Sequence, residues 1–203
     1  MGAFNRRPGR KSLLVAVAAA VALGVSSIAF AATVNCTGGP CVGTLGNDTI
    51  TGTPGADQIA ALGGSDVVNA LAGPDLISAG LGNDRVDAGD GGDGIDGSGG
   101  SDRIVAGSGP DGVSAGLGSD VVNSGLGSDL VHGDGGNDAL TDTDSLDADV
   151  LHGDGGNDFI NVQDGVTNDT AIGGVGFDIC NVDGTGLGPI PVTDLALLCE
   201  VVF

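Results

Sequence analysis

The sequence predicts an all-β fold, a parallel β-solenoid in which short strands stack coil upon coil. Three observations predict it. From Gly43 to Thr141 the chain divides without a gap into eleven units of nine residues. The fourth residue of every unit is Gly, and the eighth is always Ile, Val or Leu. Composition agrees, because a chain with 41 Gly and neither Trp nor Tyr cannot build an aromatic-rich enzyme core.

The fixed positions predict how one unit folds. A Gly in every unit marks backbone that needs positive φ or the close approach of another chain, so the first six residues are predicted to form a tight turn. The closing triplet, such as Thr49 to Thr51, predicts a three-residue strand with its middle side chain inward. One such strand cannot bury that side chain alone, so the units must coil and stack. Two units per coil place residue i over residue i+18, at about 4.8 Å.

The sixth residue of every unit is Asp, and this regularity predicts metal binding along both edges of the solenoid. Stacked carboxylates repel one another unless a cation lies between them, and hard oxygen ligands in flexible loops suit Ca²⁺. Six loops on one edge and five on the other leave room for roughly nine ions at this spacing. The predicted ligands are Asp48, Asp66, Asp84, Asp102, Asp120 and Asp138 on the first edge, and Asp57, Asp75, Asp93, Asp111 and Asp129 on the second.

Residues 43–181 resemble a known family, the RTX or haemolysin-type calcium-binding repeat, whose consensus is G-G-x-G-x-D-x-U-x with U large and apolar. The eleven units in phase carry the resemblance. It implies a parallel β-roll whose turns chelate several Ca²⁺ ions through the Asp carboxylates and through backbone carbonyls. Turns such as Gly80 to Asp84 and Gly116 to Asp120 match that pattern.

After Thr141 the units alternate between eleven and nine residues, so each coil is expected to become two residues longer. This change keeps the Asp rows on their edges. The turn Gly is replaced in both longer units, which makes the Asp of those units weaker candidates. The additional predicted ligands are Asp158 and Asp178 on the first edge, with Asp149 and Asp169 as weaker ligands on the second.

Residues 1–31 are predicted to be a signal peptide that is cleaved. A basic segment precedes an apolar run from Leu13 to Phe30, and small residues stand at both positions that signal peptidase reads. Cleavage is expected between Ala31 and Ala32, although a run of this length could also remain as a membrane anchor. The expected location is therefore extracellular, either free or at the cell surface.

All four cysteines follow the predicted cleavage point, and an even count in an oxidising compartment predicts two disulfides. Three connectivities are possible, and metal ligation is the competing interpretation. Local pairing is favoured because each pair then lies near one end of the repeats. The favoured pairs are Cys36 with Cys41 and Cys180 with Cys199. Residues 32–42 and 182–203 are predicted to cap the two ends, since a solenoid needs caps.

Four residues outside the Asp rows are candidates for other roles. His132 and His152 both end a unit, immediately before the same Gly-Asp-Gly-Gly turn. A two-His metal site is one interpretation. The favoured one is an ordinary outward position, on the argument that consecutive units lie on opposite sheets. Arg85 and Arg103 are expected to stack on one outer face, by default as a solvated pair.

The charge distribution narrows the function. All 27 acidic residues follow residue 47, where only Arg85 and Arg103 are basic, so no patch suits nucleic acid or an anionic membrane. No Ser-His-acid set or phosphate loop is visible, which predicts a protein that is not an enzyme. We expect a secreted, monomeric calcium-binding protein that folds on binding Ca²⁺ outside the cell. The alternative is a glycan-binding or adhesion module that uses the outer face.

Overall fold

The described part of the computed structural model is all-β. It comprises residues 30–142, 147–162, 169–182 and 200–201. These residues form strands and turns without a helix, so no membrane-crossing helix occurs among them. The expectations for residues 1–29 and for most of the C-terminal cap lie outside the described residues.

Two parallel sheets face each other, and successive strands of the repeats alternate between them. The ten-stranded sheet has the order β1-β3-β5-β7-β9-β11-β13-β15-β17-β18, and the eight-stranded sheet the order β16-β14-β12-β10-β8-β6-β4-β2. The strands of the larger sheet are β1 (Thr33–Asn35), β3 (Thr49–Thr51), β5 (Val67–Asn69), β7 (Arg85–Asp90), β9 (Arg103–Ser108), β11 (Val121–Leu126), β13 (Ala139–Thr141), β15 (Phe159–Val162), β17 (Ile179–Val182) and β18 (Glu200–Val201). Those of the smaller sheet are β2 (Pro40–Val42), β4 (Gln58–Ala60), β6 (Leu76–Leu81), β8 (Gly94–Gly99), β10 (Gly112–Ser114), β12 (Leu130–His132), β14 (Val150–His152) and β16 (Thr170–Ile172).

The strand register follows the repeat length. Ile50 is the Cα partner of Val68, which lies two nine-residue units later in the chain. Val131 pairs with Leu151, which lies one nine-residue and one eleven-residue unit later. The offset changes where the eleven-residue units begin. The predicted coil of two units, its lengthening after Thr141 and the parallel β-solenoid are therefore confirmed.

The core consists of two inward rows rather than one. The eighth residue of each unit is buried as predicted, for example Ile104 at 1% exposure. The first residue of the next unit is buried as well, because the extended backbone continues past the ninth residue and side chains two apart point the same way. Five strands accordingly run for six residues instead of three. The buried first-position residues include Ala61, Ala70, Ala79, Ala88, Ala106, Ala115 and Ser124.

The N-terminal segment 32–42 forms a shortened first coil. β1 pairs with β3 and β2 pairs with β4, so each sheet begins in this segment. The predicted disulfide between Cys36 and Cys41 is present and joins the two strands. Cys180 is buried near the other end, but Cys199 lies outside the described residues, so the second disulfide stays a prediction.

Candidate metal centre

Two rows of buried carboxylates follow the edges where the strands begin. Each Asp immediately precedes a strand, so the stacking of the strands also stacks the Asp residues. Acids are rarely buried to this extent unless a partner compensates their charge. The Asp residues with 1–4% exposure in these rows are Asp48, Asp57, Asp66, Asp75, Asp84, Asp93, Asp102, Asp111, Asp120, Asp129, Asp138, Asp149, Asp158 and Asp178.

One oxygen of each row carboxylate except Asp57 is held by the neighbouring coil. The backbone N–H of Asp84, for example, donates to Oδ1 of Asp102 at 2.8 Å, and Asp102 donates in turn to Oδ1 of Asp120 at 2.7 Å. The carbonyl of Asp84 accepts a hydrogen bond from the N–H of Arg103. The backbone of one coil therefore fixes the carboxylate of the next in position.

In both rows, the second carboxylate oxygen of most of the described Asp residues has no hydrogen-bond partner from the protein. Leaving a buried acceptor unpaired costs about 1–3 kcal/mol, and more when the group is charged. An oxygen-only cluster of this kind fits a hard cation such as Ca²⁺. Among the described residues, the buried oxygens without a hydrogen-bond partner include Oδ2 of Asp66, Asp75, Asp84, Asp93, Asp102, Asp111, Asp120, Asp129, Asp138 and Asp158, and Oδ1 of Asp57.

The first two units differ from the others because Thr occupies their second position. The N–H and the hydroxyl of Thr53 both donate to Oδ2 of Asp57, at 2.6 and 3.0 Å. Thr44 likewise donates to both oxygens of Asp48. These two carboxylates therefore receive side-chain hydrogen bonds from their own turn, which sets them apart from the Asp residues of the following units.

The fourth-position glycines bring successive turns into contact. Gly118 has φ +144°, and a Cβ atom added to it would overlap the carbonyl oxygen of Gly100 in the preceding coil. The turns therefore stack backbone against backbone. The same close approach to the preceding turn occurs at the nine fourth-position glycines from Gly64 to Gly136 and explains why they are Gly, whereas a Cβ at Gly55 would have space.

Burial raises the pKa of many of the carboxyls in the rows. It raises the pKa of Asp66 and Asp75 to about 6, and that of Asp102, Asp129 and Asp138 to about 7, with repulsion from Asp neighbours adding to the increase. The hydrogen bond from the preceding coil opposes these shifts. The metal-free rows therefore resist full ionisation at neutral pH, and a bound divalent cation would reverse this resistance.

In calcium-free protein, stability is expected to decrease as pH rises from about 4 to about 7. An unfolded Asp titrates near pH 4. The folded protein, with the pKa of Asp66 at about 6 and that of Asp102 at about 7, binds more protons across this interval. Protonation thus stabilises the metal-free fold, and this stabilisation is lost as pH passes the folded-state pKa values. Circular dichroism of metal-stripped protein at pH values from 4 to 7.5 measures the effect, and the fraction of β-structure should increase as the pH is lowered. More β-structure at pH 7.5 than at pH 5 would contradict it.

The eleven-residue units continue the rows and add one acid that sequence reasoning missed. Asp129 donates its N–H to Oδ1 of Asp149 at 2.6 Å, and Asp149 donates to Oδ1 of Asp169 at 2.9 Å. Asp142 is buried and offers a carboxylate oxygen within 4.8 Å of ligand atoms of both Asp149 and Asp169. The available sequence signal was an Asp at the first position, where other units carry Gly, Ala, Ser or, in one case, Val.

The prediction that the two histidines lie on opposite sheets is wrong. His132 and His152 are two units apart, not one, so they lie on the same sheet and are direct Cα partners. Their rings stack with centroids 4.6 Å apart. Burial lowers the pKa of His152, and the neighbouring His132 lowers it further. The prediction that Arg85 and Arg103 stack on one outer face is confirmed, because they are Cα partners and both are exposed.

The coils of parallel strands carry buried carboxylates at both edges, with oxygens that are free of protein hydrogen bonds in most of the described rows. This combination defines a β-roll of the calcium-binding class. Comparison with known families identifies the RTX calcium-binding nonapeptide repeat (4 copies), and the matches cover more than half of the chain. The chain therefore belongs to this family, and membership implies calcium binding in a β-roll. The matched ranges are 42–77, 61–95, 78–113, 96–131, 106–140 and 143–167. No curated protein and no solved structure matches the chain significantly.

Proposed function

We propose that this chain is a secreted, non-catalytic protein that folds into its β-roll on binding several Ca²⁺ ions outside the cell. The observation that carries the proposal is the row of buried carboxylate oxygens without a hydrogen-bond partner among the described residues. A fold that buries so many acids needs positive charge at the same places.

The ligands we propose are the Asp residues that stack at the strand starts, together with carbonyls of the turns that precede them. Calcium would supply positive charge between carboxylates that otherwise repel one another. Asp142 joins this set because its carboxylate lies with those of Asp149 and Asp169. The proposed carboxylate ligands are Asp48, Asp57, Asp66, Asp75, Asp84, Asp93, Asp102, Asp111, Asp120, Asp129, Asp138, Asp142, Asp149, Asp158, Asp169 and Asp178.

The coupling between calcium and folding follows from where the carboxylates lie. Their positions depend on the coils being stacked, because Oδ1 of the row carboxylates other than Asp57 is held by the preceding coil, as Asp102 is by Asp84. An unfolded chain therefore lacks the assembled sites, and the binding free energy becomes folding free energy. Each site stabilises the fold by about 1.4 kcal/mol when free calcium is ten times its dissociation constant.

An extracellular location is consistent with folding that is driven by calcium. A low calcium concentration inside the cell leaves the acidic chain unfolded for export, and a higher concentration outside drives folding. The Cys36–Cys41 disulfide supports an oxidising destination, since disulfides are rare in reducing compartments. The apolar, Ala-rich segment before residue 31 supports export through an N-terminal signal.

Replacing Asp102 with Asn tests the ligand assignment. Asp102 is buried in the middle of its row, where it adjoins a coil on each side, so D102N is expected to weaken the sites in both adjacent gaps. Isothermal titration calorimetry should record fewer tight Ca²⁺ ions per chain and a higher calcium midpoint for folding.

The matched control is Asp87→Asn. Asp87 is exposed, and its Cα partner Asn69 shows that Asn fits this position. D87N removes the same charge but is expected to leave calcium stoichiometry and the folding midpoint unchanged. Equal losses in D102N and D87N would mean that overall charge, rather than the buried row, determines calcium binding.

A further inference from the structure

Both histidines of the chain meet at one point on the outer face of the smaller sheet. His132 ends β12, His152 ends β14, and the two are Cα partners with stacked rings. Asp154 lies beside them, with Oδ2 at 2.8 Å from Nδ1 of His132. One ring nitrogen of each His and one carboxylate oxygen of Asp154 lie within 4.8 Å of one another.

The repeat geometry builds this cluster. One nine-residue and one eleven-residue unit separate the two histidines, so the longer coil brings them into register. Asp154 follows His152 by two residues at φ 65°, in the left-handed region, and its side chain contacts His132 of the preceding coil. The same arrangement recurs one coil earlier, where Ser114 donates to Asp134, also at positive φ. The fold therefore places these side chains together repeatedly, and this pair of adjacent coils supplies a histidine from each.

The cluster is open to solvent and chemically different from the Asp rows. The side chains of His132 and Asp154 are 37% and 36% exposed, so an ion has direct access. The row carboxylates offer only oxygen ligands, whereas this cluster offers two imidazole nitrogens and one oxygen. Calcium favours oxygen, and imidazole favours zinc, copper and nickel.

We propose that His132, His152 and Asp154 bind a divalent transition-metal ion, with Zn²⁺ as the leading candidate, independently of the calcium sites. Two nitrogens on one tetrahedral Zn²⁺ lie about 3.3 Å apart, given zinc–nitrogen bonds of about 2.0–2.1 Å. The ligand atoms lie within 4.8 Å of one another, so the stacked rings must rotate about their side-chain bonds to converge on the ion. Three protein ligands leave the fourth position to water, and the bound ion would tie two adjacent coils together.

Calorimetric titration with Zn²⁺ tests the site. The sample for this titration is protein without a polyhistidine tag, in buffer with saturating Ca²⁺. The Ca²⁺ is added to occupy the Asp rows so that Zn²⁺ does not bind there. We expect one Zn²⁺ per chain. His132→Asn and His152→Asn should each weaken binding at least tenfold, and Asp154→Asn several-fold. Asn occupies the same repeat position at Asn69 and Asn123, so the histidine variants should keep the calcium-loaded β-roll, as circular dichroism will verify.

The matched control is Asp134→Asn. Asp134 holds the equivalent place one coil earlier but contacts Ser114 instead of an imidazole, so D134N should bind Zn²⁺ as the unmodified protein does. The proposal is overturned if the double variant H132N/H152N binds Zn²⁺ as tightly as the unmodified protein, if the unmodified protein binds none, or if D134N weakens binding as much as D154N. Each of these outcomes leaves the calcium-driven folding signal intact, so it is separable from a failure of the proposed function.

Discussion

Replacing Gly118 with Ala is expected to destabilise the β-roll by several kcal/mol and to disrupt its central coils. Gly118 has φ +144°, a conformation that residues with a side chain rarely adopt. Its added Cβ would overlap the backbone carbonyl oxygen of Gly100, which cannot move without displacing the preceding turn. Because the turns on this edge stack on one another, the displacement spreads to the Asp rows. Urea unfolding at saturating calcium measures the loss.

Gly112→Ala provides the control in the adjacent unit. Gly112 lies on the outer face, and the nearest atom to its added Cβ is the carbonyl oxygen of Asp93, at 4.0 Å. Ala also lowers the entropy of the unfolded chain, so G112A should be neutral or slightly stabilising. Comparable stabilities of G118A and G112A would contradict the backbone stacking of the turns.

Leu140→Ala is expected to cost about 2–5 kcal/mol of stability, the range for removing a fully buried Leu from a core. Leu140 has 0% exposure and lies between its Cα partners Val122 and Ile160 in the larger sheet. The cavity cannot close easily, because both neighbouring coils are held by continuous hydrogen bonding. Denaturant unfolding in excess calcium measures the cost.

Leu130→Ala makes the same chemical change in the preceding unit. Leu130 is the seventh residue of its unit and is 45% exposed on the outer face. L130A should cost less than about 1 kcal/mol, which is the span of strand preferences at such positions. A larger loss in L130A than in L140A would mean that the inward and outward positions have been assigned the wrong way round.

The period of nine was sufficient to predict the coil, the register and the buried Asp rows. Residues two units apart pair because two units close one coil, and every sixth-position Asp enters a row for the same reason. The longer sequence separation between paired strands could also be predicted, since the unit lengths alternate after Thr141. These features depend on repetition, which a single sequence displays directly.

Features that depend on geometry within a unit were harder to predict. The second inward row arises because several strands extend beyond the apolar triplet into the next unit. The first residues of that unit are Gly, Ala and Ser, a composition that indicates a turn and not a strand. Asp142 entered the ligand set through the fold of a longer unit, not through a repeated position. The pairing of His132 with His152 was not predicted, although their separation in the sequence equals one enlarged coil.

The most direct test of calcium-driven folding is a calcium titration of metal-stripped protein at pH 7.5, followed by far-ultraviolet circular dichroism, with Mg²⁺ as the control ion. Mg²⁺ demands a smaller, near-octahedral site and loses its water reluctantly, so it should not replace Ca²⁺ in flexible turns. The account predicts a cooperative change from coil to β-structure, driven by Ca²⁺ at high micromolar to millimolar concentration and absent with Mg²⁺. A β-roll spectrum already complete without metal, or an equal response to both ions, would contradict it.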